Sequence, residues 1–280
     1  MTSRSLGESD NSMKGLLMNP LKKYVYLIIL SMLVGSAVNA ETTYQFESKA
    51  DEETRILIED LAGMFIAAKI AIFKKQPLIN AKGGDKSVLF GEEYLAMVKE
   101  TYQASFAKPF PANDHYFKDL LVKSMVEVME ENRTLLMDPD LGFKGLIPAT
   151  YAHQLSHKFS TLNLGVKINF TAPKKILRNP LNMPDEWEEK TIDNFKKADW
   201  PKKKPHFDAD ALVNQKPAFR YMTPLYYGPV CMRCHGVPED NPANADKPKS
   251  QWTHIDLSGF PMEGQKLNQV AGGVSISILK

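Results

Sequence analysis

Cysteine is nearly absent from this chain: two in 280 residues close at most one bridge, which excludes a scaffold held together by disulfides. A strong excess of either charge is missing too. The formal net charge is +2, and residues 41–280 carry 31 basic and 31 acidic side chains. No global field therefore draws the chain to nucleic acid or to an anionic membrane surface. No apolar run reaches the ~20 residues that cross a bilayer as a helix. The uncharged stretch from Tyr24 to Ala40 (YVYLIILSMLVGSAVNA) falls short of that length, follows Lys22 and Lys23, and ends in small residues before Glu41. That is the layout of a secretory signal peptide, residues 1–40, cut after Ala40. No cysteine lies near the cut, so a lipid anchor is not expected, and Met13 and Met18 are alternative starts. The mature chain is thus expected in the periplasm or otherwise exported, with no stable membrane span. No internal repeat is visible, and no Ser/His/Asp or metal-hydrolase constellation stands out.

The mature chain begins with helical periodicity. From Asp51 to Lys75, Leu57, Leu61, Met64, Phe65, Ala68 and Ile72 recur on one face, with acidic residues leading and Lys74 and Lys75 closing before Pro77. A second helix is expected from about Gly91 to Phe106, with Tyr94, Leu95, Val98 and Tyr102 inward. A third, capped by Asn113 or Asp114, places Phe117, Leu120, Leu121, Ser124, Met125 and Val128 on one side. A short helix after Pro148 carries His153 and His157. The period then changes to two at Val166, Ile168 and Phe170, a half-buried strand. A helix follows with Pro184 at its first position, then two strands joined by a turn at Asn214–Pro217, and a last strand with Val274, Ile276 and Ile278 alternating. Helices first, then strands interrupted by a helix, predict an α+β fold.

Both cysteines lie in GPVCMRCHGVPED, Gly228 to Asp240, with His235 directly after Cys234. Two thiols three positions apart can reach the two vinyl groups of a haem, and the next residue's imidazole is then carried beneath the iron. Export agrees with this, because bacterial covalent haem attachment occurs outside the cytoplasm. Zinc needs further ligands, and neither His206 nor His254 belongs to a second close pair. A thioredoxin-like dithiol follows an early strand, whereas this motif comes late, and a disulfide across two residues is strained. One covalent haem c is the expected cofactor.

Four stretches carry a family resemblance: KKQPLIN (Lys74 to Asn80) with GDK (Gly84 to Lys86), RNPLNMPDEWE (Arg178 to Glu188), FRYMTPLYYGPVCMRCHG (Phe219 to Gly236) and AGGVSISI (Ala271 to Ile278). Together they resemble the periplasmic c-type haem domains with a PAS-like fold, formerly a domain of unknown function, found alone or as sensor modules. The resemblance implies a PAS-like antiparallel sheet (111–280) with an amino-terminal helical segment (41–110) packed on it and covering the haem. It makes Cys231 and Cys234 the thioether residues and His235 the proximal ligand. It makes Arg178 and Arg220 propionate contacts or braces of the haem loop, while Asn179, Pro180, Asn182 and Pro184 shape a turn. Some relatives take a cysteine from the amino-terminal region as sixth ligand, and this chain has no third cysteine. Met64, His153 and His157 are the alternatives in this sequence, ahead of Met222, His206 and His254, and an open or water-occupied position stands beside them.

Two functions are compatible with this reading. The first is a monohaem protein with a one-electron redox or electron-transfer role. The second is a haem-based sensor of redox state or of a diatomic gas, acting through a separate redox or signalling partner protein. Enzymatic activity such as a peroxidase is not expected from one CxxCH motif. The PKKKP run (Pro201 to Pro205) is either a solvated loop or a docking patch for an acidic partner.

Overall fold

The computed structural model describes residues 49–111, 114–162 and 165–280. The expected export signal lies outside them. Helix α1 (Lys49–Lys74) buries Ile58, Leu61, Met64, Phe65, Ala68 and Ile72 on one side, and its charged ends complement the dipole through Asp51, Glu52 and Lys74. Pro77 falls inside a further single turn, Gln76–Ile79, where an early proline is tolerated. Helix α2 (Gly91–Phe106) buries Tyr94, Leu95, Val98 and Tyr102, and helix α3 (Tyr116–Glu131) buries Leu120, Leu121, Ser124, Met125 and Val128.

The cap of α3 differs from expectation. His115 caps it, its Nδ1 accepting from the Phe117 amide at 3.2 Å. Asp114 instead pairs with Lys118 at 3.0 Å, which also reaches Asp60 at 2.7 Å, and Asn113 lies outside the described residues. Helix α4 (Pro148–Thr161) starts on its proline and carries both expected histidines.

Strands β1 (Val166–Thr171), β2 (His206–Val213), β3 (Lys216–Tyr226) and β4 (Val270–Leu279) form an antiparallel sheet in the order β1-β4-β3-β2. Asn214 and Gln215, with φ of 51° and 65°, make the two-residue turn between β2 and β3 in the left-handed conformation that suits the strand twist. Gly272 allows β4 to close on β1: a Cβ there would sit 2.1 Å from the Thr171 carbonyl oxygen.

Helix α5 (Glu186–Phe195) lies between β1 and β2 in sequence. Pro184 is not its first residue. Asp185 is the cap, accepting from the Glu188 amide at 2.9 Å while Glu188 reaches back to the Asp185 amide at 3.0 Å. This reciprocal box fixes the first helical residue at Glu186, two beyond the proline.

The pairing register assigns the two sheet faces. Val166, Ile168 and Phe170 line up with Val274, Ile276 and Tyr221 on an apolar face, which packs against α1 and α4. Asn169, Ser275, Ser277, Arg220 and Met222 line up on the opposite face, covered by α5. There Ile192, Phe195 and Met222 form a small apolar cluster, and Asn169 donates to Glu188 at 2.9 Å. Thr171 and Pro224 both pair with Gly273. The ends of β1 and β3 therefore meet at one end of the sheet, and the chain after each emerges there together. The architecture is α+β, and among the described residues no helix is long and apolar enough to cross a membrane. Residues 47–280 make one compact unit.

Candidate cysteine–histidine site

At that end of the sheet, the chain leaves β3 through Tyr227, whose amide donates to the Gln269 carbonyl at 3.0 Å. A tight turn over Pro229–Cys231 runs into the single-turn helix α6 (Met232–His235), so both thiols and the imidazole ride on two consecutive turns. Both cysteines are free and half-buried. The next residue must be glycine: a Cβ on Gly236 would sit 2.3 Å from Asp240 Oδ2 and 2.7 Å from the Met232 carbonyl oxygen. The bare α-carbon lets the chain turn away directly after the histidine.

The segment after α6 folds back on it. Gln265 donates its amide to the His235 carbonyl at 2.7 Å, and Gly264 donates to Gly236 at 2.9 Å. This return places Glu263 Oε2 2.8 Å from His235 Nδ1, while the Tyr227 ring packs against the imidazole at 5.2 Å between centroids. Arg178, from the loop after β1, locks the arrangement. Its Nε donates to Glu263 at 2.6 Å, its Nη1 to Asp256 at 2.5 Å, and its Nη2 to the Cys234 carbonyl at 3.0 Å.

The electrostatics follow from these contacts. Burial pushes the Glu263 carboxyl up, but hydrogen bonds from His235 and Arg178 outweigh it and hold the group below its usual range. Asp256 behaves likewise, with burial opposed by Ser258, Arg178 and two backbone amides. Burial, then the nearby Asp256 charge, raises the Cys234 thiol. An ionised Glu263 can only accept, so Nδ1 of a neutral His235 carries the proton and Nε2 keeps its lone pair. No hydrogen bond to Nε2 is found among the described residues. This carboxylate–imidazole arrangement is the one that orients histidine ligands at metal centres.

The surroundings fit an apolar macrocycle held by two thiols. Val230, Val237, Ile255, Leu257, Phe260 and Leu267 flank α6 or lie on the returning segment, and each is between 41% and 56% exposed. Each of these apolar side chains has little protein cover. On α1, Lys69 reaches toward this end of the sheet: its Nζ lies 5.4 Å from the centre of the Phe170 ring, and burial lowers its pKa against a smaller opposing effect of Cys231.

Of the other residues singled out in the sequence, Arg178 lies at this site, and the rest are engaged away from α6 or exposed. Arg178 braces the loop, as described. Arg220 lies beneath α5, paired with Asp185 at 2.7 Å and Glu188 at 3.4 Å, its guanidinium over Trp187 at 4.3 Å. Its charge is engaged there rather than at α6. Met64 is fully buried within α1. His153 holds Asn182 through Nδ1 at 2.7 Å, whereas His157 is exposed. His206 stacks on Trp187, Met222 belongs to the cluster under α5, and His254 is exposed. Among the described residues no group of three or more histidine, cysteine, aspartate or glutamate side chains converges as a metal site. Sequence reasoning passed over Glu263, Asp256 and Lys69. No motif marks the two acids, and Lys69 is a lone charged position in an apolar stretch of α1.

A small α+β protein with a Cys-x-x-Cys-His turn braced by a carboxylate is the class that this geometry defines. The model of the Tll0287-like family matches residues 44–278, and the chain belongs to that family. No curated protein matches it significantly. Among solved structures, the crystal structure of the cyanobacterial heme-protein Tll0287 is similar, with 17% identity, a TM-score of 0.36, and coverage of 60% of this chain and 98% of that one.

Proposed function

We propose that this chain binds one haem covalently, with Cys231 and Cys234 forming the thioethers and His235 as proximal iron ligand, and that it serves a one-electron redox role outside the cytoplasm. The observation that carries the reading is the His235 imidazole, oriented by Glu263 at 2.8 Å with Nε2 left to coordinate, on two consecutive turns that also carry both free thiols. Family membership supports it, since the family shares its name with a protein described as a cyanobacterial heme-protein. Bound haem supplies reversible one-electron iron chemistry. The chain's own residues anchor the ring edge through the thiols, fix the imidazole tautomer through Glu263, and pair both carboxylates of the returning loop with Arg178. The anionic partner on Nδ1 makes His235 a stronger donor and favours the oxidised iron.

The test is a haem-stained denaturing gel and a pyridine haemochrome spectrum on protein produced with the covalent maturation machinery. A haem band that survives denaturation and is lost in C231S/C234S is the expected outcome. An unstained parent chain ends the reading. Carbon monoxide added to the reduced protein separates the redox role from gas sensing: no spectral change supports a six-coordinate redox centre, and a prompt shift supports an open iron and the sensor function.

A further inference from the structure

The proximal side of the proposed haem is accounted for, but the chain lacks the third cysteine that would complete the other side. Resting on the haem reading above, we propose that the Lys69 amine is the sixth ligand of the iron. Four observations support this. Lys69 projects from α1 over Phe170, the last apolar-face residue of β1, at the end of the sheet where α6 emerges. It is near Cys231. Its neighbours one turn away on either side include Ile66, half-buried, and Phe73, 40% exposed, so α1 presents an incompletely covered apolar stripe around it. No carboxylate among the described residues pairs with its ammonium.

A buried cation with no carboxylate beside it, set only against the Phe170 ring, needs a reason. Lys69 as a residue keeps some exposure, but its ammonium end is enclosed by protein, and that burial lowers its pKa. Pairing with a haem propionate is a poor account, because the propionates lie at the edge of the macrocycle opposite the thioethers. Coordination suits the position. The amine releases one proton to solvent and gives its lone pair to the iron, leaving no buried charge on the side chain.

The other candidates are less suited. Met64 is five residues from Lys69, about 140° around the helix, and points into the core with Leu61 and Phe65. His153 is tied to Asn182, and His157 faces the cavity beside Glu131 and Lys158.

Haem staining first establishes that the full-length parent, K69A and K69R carry covalent haem. Low-temperature electron paramagnetic resonance of the ferric proteins then reads the ligand. The parent is expected to be low-spin. Both K69A and K69R are expected to lose that signal and become high-spin, because arginine keeps length and charge but does not coordinate. Added imidazole is expected to return K69A to low-spin. A stained K69A with the parent's spectrum overturns the assignment, as does loss of the low-spin signal in M64L or H153A but not in K69A. A high-spin parent overturns it as well. An unstained parent instead removes the haem reading itself, so the two failures are distinct.

Discussion

His235 is held by a carboxylate that is itself held by an arginine, and this chain of contacts makes two separable predictions. In E263Q the hydrogen bond to Nδ1 persists but the negative charge is gone, so the imidazole donates less strongly and the oxidised iron loses more than the reduced iron. The reduction potential of the haem-loaded protein is expected to rise, by about 59 mV if the ferric state loses roughly tenfold in relative stability. Spectroelectrochemistry reads this, and an unchanged potential would show that Glu263 only positions the loop. Arg178 acts differently. The Asp256 side chain is fully buried, and R178A strands it beside Glu263 without a cation. The cost is roughly 3–5 kcal/mol for breaking a buried pair by removing one partner. The sign of the pH dependence follows from the lowered carboxyls. Their contribution is complete above the ordinary carboxylate range of about 4 and is lost as pH falls through the lower folded values. In R178A that lowering is relieved, so an acid titration followed by near-ultraviolet circular dichroism is expected to break at higher pH than in the parent.

The segment from Gly236 to Gln269 carries no hydrophobic period and reads from sequence only as a loop, yet it is held by specific side-chain bonds. Asn241 donates to the Ile255 carbonyl at 3.0 Å. Asn244, which is 2% exposed, donates to the Pro238 and Thr253 carbonyls and accepts from the Thr253 amide, each at 2.9 Å. N244A leaves three backbone groups without that partner. It is expected to destabilise this segment by roughly 2–4 kcal/mol, since unsatisfied buried polar groups cost about 1–3 kcal/mol each and water recovers some of them. Hydrogen exchange should rise between Pro238 and Phe260 and stay unchanged in α2 and α3; uniform change across the chain would contradict a local role. This contrast explains which elements were legible. Helices α1, α2 and α4 and the β2–β3 hairpin announce themselves through period and turn residues. The starts of α3 and α5 do not, because His115 and Asp185 take the caps through local side-chain hydrogen bonds that no hydrophobic period announces. The cysteine motif was legible because its spacing is its chemistry. Glu263, Asp256 and Lys69 were not, because only the return of the chain brings them to it.

Lys69, Phe170, Arg178, Cys231 and Glu263 come from five segments, and the sheet is what brings them together. With β1 and β3 ending at the same end of the sheet on either side of β4, the two following loops and the carboxy-terminal half of α1 converge there. The apolar face beneath α1 and the polar face beneath α5 are complete without that end: Ile168, Ile276 and Tyr221 are buried on one side, and Met222, Ile192 and Phe195 on the other. The fold should therefore survive without haem, while the site should not stay closed. In C231S/C234S, far-ultraviolet circular dichroism is expected to keep the helical signal of α1 to α4. The melting temperature should fall, by about 2–4 °C for each kcal/mol lost in a chain of this size. A dye that binds exposed apolar surface should report the uncovered Val230, Val237, Ile255 and Phe260 in the serine variant and be quiet in the haem-loaded parent. Loss of helical signal in the serine variant would mean that the cofactor organises the fold itself. Equal dye binding by both proteins would mean that these side chains face solvent, or a partner, whether or not haem is attached.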